Sequence, residues 1–141
     1  MKFQNCLFLI LLIVCLSCQS KKTDKQTGID STLFYTNPVI GGGSEPWAIF
    51  HEGKYYYTQS LADCIILWET DDITQLAEAA KKNVYSPQNA SGISHLWGPE
   101  IHYMDNKWYI YCAADDGNID NRQIYVLENE SPDPMKGEVV M

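Results

Sequence analysis

The sequence predicts an all-β fold built from repeated sheets. Two stretches, Glu45–Tyr57 and Pro99–Tyr111, are copies of one another, and an offset of 53 residues aligns Pro46 with Pro99. A strand-like run of branched and aromatic residues follows each copy. Self-similarity at about 50 residues, with several strands in each unit, is typical of the blades of a β-propeller.

Turn residues separate the strand-like runs of the first repeat. Two predicted strands, Trp47–Glu52 and Lys54–Gln59, are joined by a hairpin turn at Glu52-Gly53, and a third strand follows at Ile65–Thr70. A turn or helical cap is predicted at Asp71–Thr74, and one or two helical turns, favoured by Ala, Glu and Lys, at Gln75–Lys82. The outer strand is predicted at Val84–Ser86.

The second repeat has the same plan. An entry loop is predicted at Asn89–Leu96, followed by two hairpin strands at Ile101–Met104 and Lys107–Ala113. A polar loop at Ala114–Asn121 then leads to a third strand at Gln123–Glu128, and Gly137–Met141 is predicted to open an outer strand. The acidic spacing of the polar loop is similar to that of a calcium loop, but the closing glutamate of an EF-hand is missing, so the loop is predicted to be a solvated turn. About two blades are present, whereas closed propellers need at least four.

The N-terminus is predicted to direct export. Lys2 precedes an apolar run from Cys6 to Leu16 that is too short to span a bilayer. Leu16-Ser17-Cys18 is similar to the lipobox of bacterial lipoproteins, which makes Cys18 the candidate lipidation site. An ordinary secretory signal is the alternative. The predicted organisation is a signal peptide at 1–17, a polar lipid-anchored tether at 18–32 and the start of a folded propeller at 33–141, placing the protein in the bacterial cell envelope.

Charge and cysteine content limit the possible partners. The formal net charge of −8 argues against nucleic acid, which requires a basic surface, and favours a polysaccharide. Cys64 and Cys112 are the thiols of the folded part; a disulfide is permitted in an exported protein, but their positions in or beside strands favour two unpaired buried cysteines. His51, His95 and His102 have no metal-ligand spacing, so neither a metal nor a cofactor is predicted.

Two carboxylates stand at the entrances of the repeats. Glu45 precedes Pro46, and Glu100 follows Pro99. Inner propeller strands start near the central axis, so both side chains are expected to reach one pocket, and two carboxylates around a pocket suit glycoside hydrolysis. Each taken alone would be an ordinary exposed glutamate.

The sequence resembles glycoside hydrolase family 43, five-bladed propellers that include α-L-arabinofuranosidases and β-xylosidases. The residues that carry the resemblance are Asn37-Pro38, Gly43–Trp47, Leu96–Tyr103, Lys107–Tyr111 and Ala113–Gly117.

The resemblance implies roles for the two carboxylates. It makes Glu45, where the family more often has Asp, the general base, and makes Glu100 the residue that orients the catalytic acid and raises its pKa. Gly98 stands where the family usually has Ala. The family's general acid, a glutamate of the third blade, is matched by no residue here. Trp47 and Trp97 are either sugar platforms or core residues.

The resemblance therefore implies an inverting glycosidase acting on arabinose- or xylose-containing plant polysaccharide, inactive as this stretch alone. Two alternatives remain. One is a glycan-binding or degenerate propeller lipoprotein, and the other is the product of a truncated gene.

Overall fold

The chain forms antiparallel β-sheets joined by short turns. A computed structural model describes residues 34–61, 63–87 and 91–141. The first sheet has the order β1-β2-β3-β4 and the second the order β5-β6-β7. The strands are β1 (Ser44–His51), β2 (Lys54–Ser60), β3 (Ile65–Thr70), β4 (Ala80–Tyr85), β5 (His95–Met104), β6 (Lys107–Asp115) and β7 (Gln123–Asn129). The predicted all-β architecture is confirmed.

Both predicted hairpins close with two-residue turns. Glu52 and Gly53 have φ of 49° and 85°, and Asp105 and Asn106 have φ of 52° and 61°. Positive φ at both central positions defines the type I′ turn, whose twist matches that of the flanking strands. The two repeats therefore share turn geometry as well as sequence.

One face of each sheet supplies the main core. Its most buried members, which are at most 2% exposed, lie on strands of both sheets: Ile65, Leu67, Leu96, Ile101, Trp108, Ala114 and Leu127. Trp47 extends this packing, because its indole N–H donates to the carbonyl oxygen of Ile101 at 3.0 Å. The two repeats pack as parts of one compact unit, Tyr35–Met141.

The segment predicted to be helical is only partly so. A 3₁₀ segment covers Ile73–Glu78, and Asp72 caps it by accepting from the backbone N–H of Thr74 at 2.9 Å. The prediction of helix through Lys82 is wrong, because β4 begins at Ala80 and pairs with β3. Pairing with a neighbouring strand here overrides the helix propensity of Ala and Lys.

The second repeat also starts earlier than predicted. β5 begins at His95, in the segment expected to be a loop, because His95 pairs with Asp115 and Leu96 is buried. The predicted outer strand at Gly137–Met141 appears as a single antiparallel bridge between Glu128 and Val140. The proposed signal peptide, tether and Cys18 lie outside the described residues. Within the described residues, no helix is long and apolar enough to cross a membrane.

Candidate active site

A β-bulge interrupts the first strand of each repeat at the same place. The β1–β2 register shifts between Ser44 and Trp47, and the β5–β6 register shifts between Trp97 and Glu100. Glu45, in the first bulge, has φ of 54°, and Gly98, 53 positions later in the second bulge, has φ of 51°. The repeats thus place a glutamate and a glycine in the same left-handed backbone conformation.

A hydrogen bond joins the two bulges. The backbone N–H of Gly98 donates to Oε2 of Glu45 at 2.8 Å. A non-glycine residue in the left-handed region costs about 1–2 kcal/mol, and strain of this kind is concentrated at functional sites. The bond fixes the carboxylate while Oε1 has no donor among the described residues, so that oxygen is available to a ligand.

Glu100 lies two residues after Gly98 on β5. Its side chain is 48% exposed, and Oε2 lies 3.4 Å from Nε2 of His102. In register it faces Tyr111 of β6. The intervening Pro99 is fully buried and anchors the strand between Gly98 and Glu100.

The two carboxylates border one cleft of about 370 Å³. Its walls are formed by Glu45, Trp97, Gly98, Glu100, Tyr111, Cys112, Ala113, Arg122 and Ile124. Glu45 and Glu100, which the sequence analysis predicted to share a pocket, therefore lie at the same cleft.

The two candidate tryptophans differ in position. Trp97 lines the cleft, whereas Trp47 packs between the sheets and its ring lies 5.2 Å from that of His102. The guanidinium carbon of Arg122 lies 4.7 Å from the centroid of the Trp97 ring. That side of the indole ring is therefore occupied by a side chain of the protein itself.

An ion-pair cluster beside the cleft was not foreseen. Asp115, whose side chain is 2% exposed, accepts from Nη2 of Arg122 at 2.8 Å and contacts Nδ1 of His95 at 2.9 Å. The backbone N–H of Gly117 adds a third contact at 3.1 Å. The prediction that the whole segment 114–121 is a solvated turn is therefore wrong at Ala114 and Asp115, because β6 includes both residues and both are buried. Nothing in the local pattern separates Asp115 from the other acidic residues of the segment, because its burial depends on pairing with His95 of β5.

Protonation of Asp115 should weaken the fold. Hydrogen bonds from Arg122 and then His95 lower the pKa of Asp115 to about 2, against about 3.9 for an unfolded chain. The contribution to the free energy of unfolding is thus present above about pH 4 and is lost as the pH falls through about 2. Urea unfolding at pH 6, 4 and 2.5 should show this loss in the wild type. Asp115→Asn should lack that component, and Asp120→Asn, which removes an exposed carboxylate nearby, should retain it; equal acid sensitivity of the three proteins would contradict the assignment.

The remaining candidate ligands form no metal centre. No group of three or more His, Cys, Asp or Glu in the described ranges is arranged to hold a metal ion. Cys64 and Cys112 are both unpaired, as predicted. Cys112 is buried, which raises the pKa of its thiol to about 11, whereas Cys64 is half-buried because it lies before β3 rather than within it.

Comparison with known proteins gives a family match over most of the chain. Residues 35–138 match the sequence model of Glycosyl hydrolases family 43. An extracellular exo-α-(1→5)-L-arabinofuranosidase of Streptomyces avermitilis is 34% identical over 112 residues, which are 75% of this chain and 23% of that protein. The enzyme of the same name from Streptomyces chartreusis is 33% identical over 73% of this chain and 33% of its own length. The chain thus spans a third or less of these relatives.

Solved structures agree with the sequence match. The α-L-arabinofuranosidase of Lactobacillus brevis superposes with a TM-score of 0.67 and 32% identity, over 74% of this chain and 36% of that one. The α-L-arabinanase of Cellvibrio cellulosa superposes with a TM-score of 0.54 at 13% identity, over 71% of this chain and 34% of that one, which shows similarity of fold.

Proposed function

Because the chain belongs to glycosyl hydrolases family 43, we propose that it is part of an exported enzyme that hydrolyses glycosidic bonds of arabinose-containing polysaccharide. The observation that carries the proposal is the cleft shared by Glu45 and Glu100, which lies within the matched residues. The arabinofuranosidase relatives favour arabinosides, and xylosides are the second substrate class to be tested.

Glu45 is the proposed general base. In an inverting hydrolase the base removes a proton from the water that attacks the sugar, on the side opposite the leaving group. The Gly98 N–H holds Oε2, and Oε1 is left for that water. A glutamate reaches one methylene further than the aspartate usual in the family. Glycine at position 98 suits the left-handed backbone there, which has φ of 51°, whereas space is not the reason, because a Cβ would make an ordinary contact of 3.8 Å with the Glu45 carboxyl carbon.

Glu100 is proposed to act on the catalytic acid rather than on the water. A carboxylate beside an acid favours its protonated form, because a like charge disfavours ionisation. The half-exposed position of Glu100 on the cleft wall leaves it accessible to a residue from outside the described part of the chain. The general acid is proposed to come from a further repeat.

The two sheets are proposed to be neighbouring blades of a five-bladed propeller. The face of the second sheet that bears the cleft also exposes Ile124 and Val126, which suits coverage by another blade. Export through the signal at 1–17 and anchoring through Cys18 are proposed with it, as the placement for an enzyme that acts on polysaccharide outside the cell.

The 141 residues alone are expected to show no appreciable turnover of aryl α-L-arabinofuranoside or aryl β-xyloside. A leaving group without a general acid must depart unprotonated, and positioned proton transfer contributes about 10²–10⁴-fold to the rate. Both substrates should be assayed on the 141-residue chain and on a longer polypeptide that continues through the third-blade glutamate.

Turnover by the longer protein and not by the shorter one is the expected result. Turnover by the 141 residues that Glu45→Gln abolishes would show that the acid lies within them and would contradict the mechanism. A longer protein that binds arabino-oligosaccharides without cleaving either substrate would contradict hydrolysis and favour the glycan-binding alternative.

A further inference from the structure

Arg122 is fixed in position at the rim of the cleft. Its Nε and Nη2 both donate to Oδ2 of Asp115, at 3.2 and 2.8 Å, and its guanidinium carbon lies 4.7 Å from the centroid of the Trp97 ring. Two hydrogen bonds from one planar group, together with the contact to an aromatic ring, define both the position and the plane of the guanidinium.

The acceptor that holds Arg122 is itself immobilised. Asp115 is buried at the end of β6, and its other oxygen, Oδ1, is engaged by Nδ1 of His95 at 2.9 Å and by the N–H of Gly117 at 3.1 Å. Because neither oxygen can turn away without losing these bonds, Arg122 loses little further freedom when it binds a ligand. Preorganisation of this kind favours affinity.

Arg122 supplies hydrogen-bond donors, which the other charged residues of the cleft lack. Ionised Glu45 and Glu100 can only accept hydrogen bonds, whereas a sugar hydroxyl both donates and accepts. A guanidinium has five N–H donors, of which Asp115 takes two. About a third of the Arg122 side chain is exposed, and it is the only cation among the described residues that line the cleft.

On this geometry we propose that Arg122 is a substrate-positioning residue that donates hydrogen bonds to sugar hydroxyls in the cleft, with Asp115 and Trp97 holding it in the binding orientation. The inference rests on the proposed function, since it names the residue that binds the glycan at the same cleft. The competing explanation is a purely structural ion pair that only ties the 116–122 loop to β6.

The test uses the longer active polypeptide and two matched substitutions. Arg122→Lys keeps a cation beside Asp115 but loses the planar fork, and Asp115→Asn keeps Arg122 but releases its orientation. We expect each to raise KM for aryl α-L-arabinofuranoside, and Kd for arabino-oligosaccharide measured by tryptophan fluorescence, by about 10- to 100-fold. The expected change in kcat is less than threefold, because neither side chain transfers a proton.

A control variant separates binding from stability. Lys107 forms ion pairs with Glu128 and Glu130 at the opposite end of β6, so Lys107→Met perturbs the same sheet and should leave KM and Kd within twofold of the wild type. Urea unfolding of all variants identifies any loss that arises from instability. The double variant Asp115→Asn with Arg122→Met, which leaves no unpaired buried charge, should show the same rise in KM and Kd.

The outcomes distinguish this inference from the proposed function. If the wild type turns over substrate and Arg122→Lys and the double variant both leave KM and Kd within twofold, the inference is wrong and the function stands. If the wild type binds arabino-oligosaccharide without turnover, the proposed hydrolysis is wrong, and the Kd values of the variants still decide the role of Arg122. A wild type that neither binds nor hydrolyses these sugars contradicts both.

Discussion

Glu45→Gln in the longer active polypeptide is expected to lower kcat for aryl α-L-arabinofuranoside by about 10²–10⁴-fold. The amide keeps the size of the side chain and can still accept from the Gly98 N–H through its oxygen, but it cannot take a proton from water. KM should change far less than kcat, because the substrate contacts proposed for Arg122 remain. Steady-state kinetics with the purified variant gives both constants.

Two further substitutions bracket this result. Glu52→Gln removes a carboxylate that is 86% exposed in the hairpin turn after β1, and it should leave kcat unchanged.

Glu100→Gln should alter the pH dependence of kcat, because its proposed role is to keep the general acid protonated. If Glu45→Gln retained more than a tenth of the wild-type kcat, Glu45 would not be the base. A rise in KM alone for Glu100→Gln would instead make Glu100 a sugar-binding residue.

Gly43→Ala should produce the largest loss of stability from a single methyl group. Gly43 has φ of 82°, and a Cβ there would lie 2.5 Å from both terminal atoms of the Gln59 side chain. Gln59 is buried and accepts from the Tyr57 hydroxyl at 2.8 Å, so it cannot simply swing into solvent. Strain of about 1–2 kcal/mol and overpacking of about 1–3 kcal/mol together predict about 2–5 kcal/mol, measured by urea unfolding of the 141-residue chain.

The adjacent glycines provide matched controls. At Gly41 a Cβ would have no neighbour within 4 Å, and no positive φ is required; at Gly42 there is equal space, but φ is 76°. Alanine should therefore be nearly neutral at position 41, cost only the backbone strain at 42 and cost most at 43. Gln59→Ala combined with Gly43→Ala should recover the overpacking part. Equal effects at all three positions would contradict the assigned close contact.

Most of the fold could be predicted from the internal repeat of the sequence. Matching turn residues and alternating apolar positions located both hairpins, because these signals act locally along the chain. The ends of β4 and β5 were missed because pairing with β3 and β6 decides them, and such pairing joins residues distant in sequence. Lys81, for example, has a good helical propensity but pairs with Trp68.

The site was predictable to the extent that it follows the repeat. Glu45 and Glu100 could be named from their prolines, and the resemblance gave them roles that stay predictions. Asp115 and Arg122 were missed, because an acidic run followed by an arginine is typical of a solvated loop. Arg122 is held beside the cleft as a hydrogen-bond donor only because the carboxylate of Asp115 is buried at the end of β6.

The bond between Glu45 and Gly98 also bears on the order in which the protein is made. A ribosome that synthesises from the N-terminus delivers the strained glutamate 53 residues before the amide that holds it. Domains generally fold as units during synthesis, and the core is shared by the two sheets, so the first sheet completes neither its packing nor the bond of Glu45 until the second has been made. The carboxylate becomes oriented only when the next sheet has emerged and docked. Orientation of the proposed base is therefore a late event in biogenesis, tied to the arrival of the neighbouring repeat.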